Sequence, residues 1–303
     1  MTDPIEQFSA AITASGLEAP DDINADGAIH RFSTNGRRGD DSGWYMLHLD
    51  GVAAGAFGCW RAGLQSNWCA KPDKAMTAAE SEAHRQRVRA MRAQRDAEQA
   101  QRHQQASDTA AALLQATTPA TTHDYLTRKG IKPHGVRFDG HSLVIPLRDA
   151  TGKLCSLQTV APDGGKRFLP GGRVRGCYFG IGQPDGVLIV AEGFATGATI
   201  HEATGHAVAV AFNAGNLLSV ATSLHGKFPA LKIIIAADDD HRTEGNPGLT
   251  AAKQAALAVG GFVAVPRFPA DRPPKATDFN DLHALAGLAA VRECFAEIEE
   301  VAC

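Results

Sequence analysis

The residues with the clearest capacity for chemistry are carboxylates at the ends of apolar runs. Glu192 closes VLIVAEG (187–193), and Asp238, Asp239 and Asp240 close LKIIIAADDD (231–240). Short, near-continuous apolar runs of this kind read as buried strands. Ligands of open α/β sheets bind beyond the carboxyl ends of such strands. Two neighbouring strands would therefore deliver acids to one place. Crowded carboxylates raise one another's pKa, and a bound Mg²⁺ or Mn²⁺ removes that conflict. Along an extended chain Asp238 and Asp240 face one side and Asp239 the other. That D-x-D spacing suits an octahedral oxygen-ligand site shared with phosphate oxygens. The three aspartates alone read equally as an acidic turn capping the next helix, and Glu192 weighs against that. A further stretch, KATDFNDLHA (275–284), puts Asp278 and Asp281 at a helix start. An aspartate there serves as readily as a cap as it does as a site acid.

A basic segment lies upstream. Lys166, Arg167, Arg173 and Arg175 stand among Gly164, Gly165, Gly171 and Gly172. This reads as a loop that lets backbone approach phosphates over the acidic cleft, or as a solvated hairpin tip. The whole chain, with 30 Lys and Arg against 33 Asp and Glu and a net charge of −3, is no general polyanion binder. Local charge placement has to carry any nucleic-acid argument.

The surrounding pattern supplies elements to position these groups. From residue 186 onward strands and helices alternate, which predicts an α/β fold: a parallel sheet with helices on both faces, over 186–303. Residues 118–185 read as a small basic α+β subdomain, with a short helix at HDYLTRKG, a hairpin in SLVIPLRDATGKLCSLQTV and a loop through PDGGKRFLPGGRVRGCYFG. Residues 74–117 are rich in Ala, Gln, Arg and Glu, without Gly. A capping box at Thr77 and Glu80 opens a long helix there. With only Val88 and Met91 as large apolar residues in its arginine-rich interior, it reads as a solvated linker. Residues 1–73 form a small β-rich unit with a hairpin around Asp50 and Gly51. Its rings Trp44, Tyr45, Phe57 and Trp60 read as core, or, beside Arg37, Arg38 and Arg61, as a single-strand stacking surface.

Six scattered cysteines without a CxxC pair read as reduced thiols. No apolar run reaches the roughly 18 to 20 residues that a bilayer requires. A cytoplasmic chain without a membrane partner is expected.

EGFATG (192–197), AADDDH (236–241) and KATDFNDL (275–282), at these separations, resemble the Toprim domain. That domain is shared by DnaG-type primases, topoisomerases, OLD-family nucleases and RecR-type proteins. The preceding GKRFLPGGRVRGCYFGIG resembles the basic segment of DnaG-type primases, especially the primase portions of phage and plasmid replication proteins. The resemblance covers roughly residues 122–285. It implies that Glu192 is a general base or metal ligand. Asp238, Asp240 and Asp278 are implied to join it in holding Mg²⁺ or Mn²⁺. Lys166, Arg167, Arg173 and Arg175 are implied to hold template or nucleotide phosphates. The implied activity is synthesis of RNA primers from nucleoside triphosphates on single-stranded DNA, with a replicative helicase as a further partner. A metal-dependent Toprim nuclease and an inactive nucleic-acid-binding module are the alternatives. Three departures stand out. Thr196 occupies a place where the family often has Asp, the N-terminal unit has no cysteine pairs for zinc, and the chain contains no GxxxxGK[ST] loop.

Overall fold

The computed structural model describes residues 3–37, 39–71, 77–296 and 299–300. Arg38, Lys74 and Cys303 lie outside these, as does the Glu80 side chain, and with it the expected capping box. The chain forms two compact units, Met1–Gln101 and Arg102–Cys303.

The first unit opens with a helix that the sequence pattern does not announce, α1 (Pro4–Ala14). The Asp3 carboxylate accepts from the Ile5 N–H and Pro4 sits in the first turn, so the start is a capped one. A four-stranded antiparallel sheet follows: β1 (His30–Phe32), β2 (Gly43–His48), β3 (Ala54–Cys59) and β4 (Leu64–Cys69). Phe8 and Ile12 of α1 pack on Tyr45, Leu47 and Phe57. Trp44, Tyr45 and Phe57 are buried, and Arg61 pairs with Asp40 at 2.5 Å. Those three rings are therefore core, not a stacking surface.

Helix α2 (Ala78–Gln115) runs across the boundary between the units. It is not solvated all round. Val88 and Met91 pack against Trp44, Met46 and Ala56, while Ala110 and Leu114 pack against Val144 and Leu157. The few apolar side chains in the helix are the ones that dock it. A weak periodic pattern conceals this because each contact occupies only a turn or two.

The second unit begins with β5 (Thr118–Pro119), α3 (Asp124–Lys129), β6 (Arg137–Phe138), β7 (Leu143–Arg148), β8 (Leu154–Val160) and β9 (Lys166–Phe168). Its five strands form one antiparallel sheet in sequence order. The β7–β8 turn is tied by Asp149, whose Oδ1 accepts from the Thr151 and Lys153 N–H groups and the Thr151 hydroxyl. Then come β10 (Phe179–Ile181), β11 (Val187–Ala191), α4 (Phe194–Thr204), β12 (Ala207–Val210), α5 (Leu217–Lys227), β13 (Lys232–Ala236), α6 (Pro247–Val259), β14 (Phe262–Ala264), α7 (Phe279–Glu293) and β15 (Glu299–Glu300). The sheet order is β10-β12-β11-β13-β14-β15.

The four inner strands are parallel, but β10 and β15 add antiparallel edges, so the sheet is mixed rather than wholly parallel. Strand β10 starts at the end of the stretch expected as loop, since three residues around Gly180 and before Gly182 show no usable period.

Alternation along the inner strands explains the unbroken apolar runs. Leu188, Val190, Ile233 and Ile235 face α5 and α6, whereas Ile189, Ala191, Ile234 and Ala236 face α4 and α7. The second layer is continuous with the five-stranded sheet, because Tyr125, Leu126, Leu143, Ile145 and Leu147 share that core. Phe279 sits within it at 0% exposure. Phe279→Ala is expected to cost about 3–5 kcal/mol of stability, measured by urea denaturation. A loss below about 1 kcal/mol would show that α7 can repack without its anchor.

Candidate active site

Strand β11 lies between β12 and β13, so the chain steps to one side of it and then crosses to the other. That reversal opens a crevice at the carboxyl ends of β11 and β13. Glu192 follows β11 directly, and Asp238 lies two residues beyond β13. The registers Val190↔Ile235 and Ala191↔Ala236 bring both termini level.

Burial pushes the Glu192 carboxyl up from its ordinary value, and the Asp240 charge adds to this. The Ala214 N–H and the Lys166 ammonium oppose the shift. Asp238 is affected most. Burial and then the charges of Glu192, Asp278 and Asp240 raise it to about 8. Its Oδ1 is buried and has no hydrogen-bond partner among the described residues. A buried acid oxygen without a donor is costly, and it marks a place where a cation or proton belongs. Asp240 is held beside it. Its Oδ2 accepts from the Gly248 N–H at 3.1 Å, and its own N–H donates to Asn246 Oδ1 at 2.9 Å.

Asp278 satisfies both readings left open by the sequence. It caps α7, its Oδ1 accepting from the Asp281 N–H at 2.8 Å, and Asp281 returns the contact to complete a capping box. It also belongs to the acidic group, since burial and the Asp281 charge raise its pKa. Its other oxygen accepts from the Thr196 hydroxyl at 3.1 Å. Thr196 thus puts a neutral donor where an acid would have faced Asp278.

Among the described residues no three His, Cys, Asp or Glu side chains form a ready ligand set. Glu192, Asp238, Asp240 and Asp278 are neighbours in charge rather than a closed four-acid cage. An open set of this kind could hold a divalent cation that keeps several waters and takes one or two carboxylates plus substrate phosphates. Asp238 and Asp240 fit that role best, because Asp278 is already occupied with the cap and Thr196.

Comparison with known proteins bears on the same segment. Residues 187–289 match the Toprim domain family. This segment is a Toprim domain.

The chain is 38% identical over 312 residues to a DNA primase TraC of Escherichia coli, covering 94% of this chain and 29% of that protein. A second Escherichia coli DNA primase TraC is 36% identical over 289 residues, covering 88% and 20%. The chain therefore spans less than a third of the length of either relative. Among solved structures, the primase fragment of the bacteriophage T7 primase-helicase protein is 18% identical. It superimposes at a TM-score of 0.44, covering 59% of this chain and 74% of that one.

The four basic residues expected over the Toprim crevice have different settings. Lys166 and Arg167 are consecutive exposed residues on the edge strand β9. Lys166 acts on Glu192, and its Nζ lies 3.9 Å from where a Cβ on Gly193 would stand. Arg173 is committed elsewhere, with Nη2 on Asp149 Oδ2 at 2.6 Å and on Cys155 Sγ at 3.0 Å. Arg175 is exposed near α5, its Nε 3.4 Å from Ser219 Oγ. Residues 164–175 therefore form strand β9 and separate turns instead of one continuous loop. Nor do the glycines serve phosphate approach alone. Gly164 and Gly171 take φ of +94° and +75° in turns, and a Cβ on Gly172 would collide with Ser156 Oγ.

Four groups at the crevice escape sequence reasoning. Lys129, at the end of α3, lies 3.9 Å from Asp281 and lowers the pKa of Asp278. The Tyr125 hydroxyl is buried without a hydrogen-bond partner among the described residues, and burial and the Asp278 charge raise it to about 12. Asn216 pins the segment 174–177 to the end of β12. Its Nδ2 donates to the Val174, Cys177 and Ala211 carbonyls, and its Oδ1 accepts from the Gly176 N–H. Arg272 holds Asp239. None of these stands in an acidic or basic motif, and only the fold brings them to the crevice.

Among the described residues no helix is long and apolar enough to cross a membrane.

Proposed function

We propose that this chain is the nucleotidyl-transferring portion of a DNA primase, making short RNA primers on single-stranded DNA from nucleoside triphosphates, in a plasmid or phage replication system. The observation that carries this reading is the Asp238 carboxylate, with a buried oxygen that has no hydrogen-bond partner among the described residues, set among the charges of Glu192, Asp278 and Asp240, with Lys166 acting on Glu192 beside it. The TraC relatives, named DNA primases, support it.

A divalent ion bound by Asp238 and Asp240 would supply positive charge for the triphosphate oxygens and lower the pKa of an attacking hydroxyl. The chain's own residues do the rest. The raised pKa of Glu192 suits its carboxylate to accept the proton of the primer 3′-hydroxyl, since a base works best with a pKa near the working pH. Lys166 adds a cation beside it, and Arg167 on the edge strand offers a second one to the template backbone. Lys129 adds charge on the α7 side. The template is the macromolecular partner this reading requires, and a replicative helicase is a further partner it proposes.

The deciding experiment incubates the chain with single-stranded DNA, labelled ribonucleotides and Mg²⁺ or Mn²⁺, and scores both extension and cleavage. Labelled primers are expected. Cleavage without extension would replace the reading with a Toprim nuclease.

Fluorescent single-stranded DNA titrated at several salt concentrations tests the basic pair separately. The double variant Lys166→Ala, Arg167→Ala should flatten the dependence of log affinity on log salt by roughly 0.7 per charge removed. Arg173→Ala should leave that slope unchanged and act on stability through Asp149. An unaltered slope in the double variant would remove β9 from the nucleic-acid path.

A further inference from the structure

Asp239, between two acids of the crevice, is turned away and held by a full set of donors. The Arg272 guanidinium uses all three of its nitrogens within this contact. Nη1 donates to Asp239 Oδ2 at 2.5 Å, Nη2 to the Asp239 carbonyl at 2.8 Å, and Nε to the Ala276 carbonyl at 2.8 Å. Its plane lies over Phe268, 4.0 Å from the ring centroid. The remaining Asp239 oxygen accepts from Asn246 Nδ2 at 2.7 Å, and Asn246 Oδ1 takes the Asp240 N–H. The Asp239 N–H donates to the Thr277 carbonyl at 2.8 Å. Arg272 and Asp239 are both largely buried, at 15% and 20% side-chain exposure.

We propose that Arg272 is a positioning residue that keeps Asp239 out of the acidic crevice and ties the Asp238–Asp240 segment to the segment carrying Asp278. The inference rests on the metal reading of Asp238 and Asp240. Three consecutive carboxylates at a strand end would otherwise compete for one cation and repel each other. An arginine that neutralises the middle one leaves its neighbours to converge. The same side chain spans Asp239 and Ala276, two residues before Asp278, so the acids on separate elements move as one body. A lysine cannot replace it, because one ammonium does not reach three acceptors in the fork geometry of a guanidinium. Groups that orient metal-binding carboxylates in this way typically change metal affinity about 10- to 100-fold when removed.

The test uses the full chain and Mn²⁺ alone, with free Mn²⁺ read by electron paramagnetic resonance. Arg272→Gln and Asp239→Asn should each weaken Mn²⁺ binding about tenfold or more. The double variant should be no weaker than the worse single one, because both changes break the same contact. Arg272→Lys should fall between wild type and Arg272→Gln. Hydrogen exchange provides a second readout. Arg272→Gln should speed exchange at both 238–240 and 276–278, with β11 unchanged. A wild type that binds no Mn²⁺ would bring down the metal reading, leaving exchange to decide the coupling of the two segments. Wild-type Mn²⁺ affinity in Arg272→Gln, strictly additive losses, or faster exchange in only one segment would overturn the positioning role.

Discussion

Asp238→Asn is expected to abolish nucleotidyl transfer while making the metal-free protein at least as stable as the wild type. Removal of a group that stabilises charge in the transition state costs on the order of 10²–10³-fold or more in rate. Stability moves the other way. Folding raises the Asp238 carboxyl from 3.8 to about 8, through burial first and then the Glu192 charge. Its contribution to stability is therefore fully present below the unfolded value. It is lost as pH rises through about 8, because the folded chain holds a proton that the unfolded chain has released. The metal-free wild type should thus melt at progressively lower temperature from about pH 5 to about pH 8. Asparagine mimics the protonated acid, so the variant should show a shallower decline, and Mg²⁺ should restore the wild type at the alkaline end. Thermal melts across pH with and without Mg²⁺, beside a primer-synthesis assay, check both halves. A variant that remains active, or a wild-type profile as flat as that of the variant, would be fatal to the assignment. Asp240→Ala should lose activity comparably, with a smaller change in stability, since its Oδ2 already has the Gly248 N–H.

Glu192→Gln should lower the rate by about 10²–10⁴-fold, the range that positioned proton transfer contributes. Nucleotide binding should be nearly unchanged. The carboxylate stands at the end of β11 facing Lys166 and the Asp240 charge. An amide keeps the shape and the contact with the Ala214 N–H through its oxygen but cannot take a proton. Single-turnover rates and nucleotide affinity measured on the same variant separate the possibilities. A loss confined to rate supports proton acceptance from the primer hydroxyl. Equal losses in rate and affinity would move Glu192 into the metal-holding set.

Much of the crevice was legible because the information is local. A strand buried on both faces must be apolar at every position, so the first acids after VLIVA and LKIIIAA stand out, and the sheet brings those two strand ends level. The alternation of an extended chain also separates Asp239 from its neighbours on strand geometry alone. What Asp239 turns toward is not written in that alternation. Arg272 lies 33 residues later, in a stretch of prolines with no charge pattern. The basic segment was legible in composition but not in destination. Arg173 pairs with Asp149 because the β7–β8 hairpin turn comes back to it, while Lys166 reaches Glu192 because β9 is the sheet edge beside the end of β11.

The sequence by itself thus determined the alternation of strands and helices from β11 to α7, the apolar inner strands of the Toprim sheet and which carboxylates close them. These follow from periodicity and from the cost of burying charge, both properties of neighbouring residues. Only the tertiary structure decided which charges answer one another. Lys129, Tyr125, Asn216 and Arg272 come from four separate stretches of chain, and Lys129 and Tyr125 meet Asp281 and Asp278 from the far side of the whole Toprim sheet in sequence. It also decided that α2 docks through Met91 and Ala110 and that Arg173 serves a turn. Such pairings depend on how sheets and helices close over a shared core, which the spacing of residues along the chain does not encode.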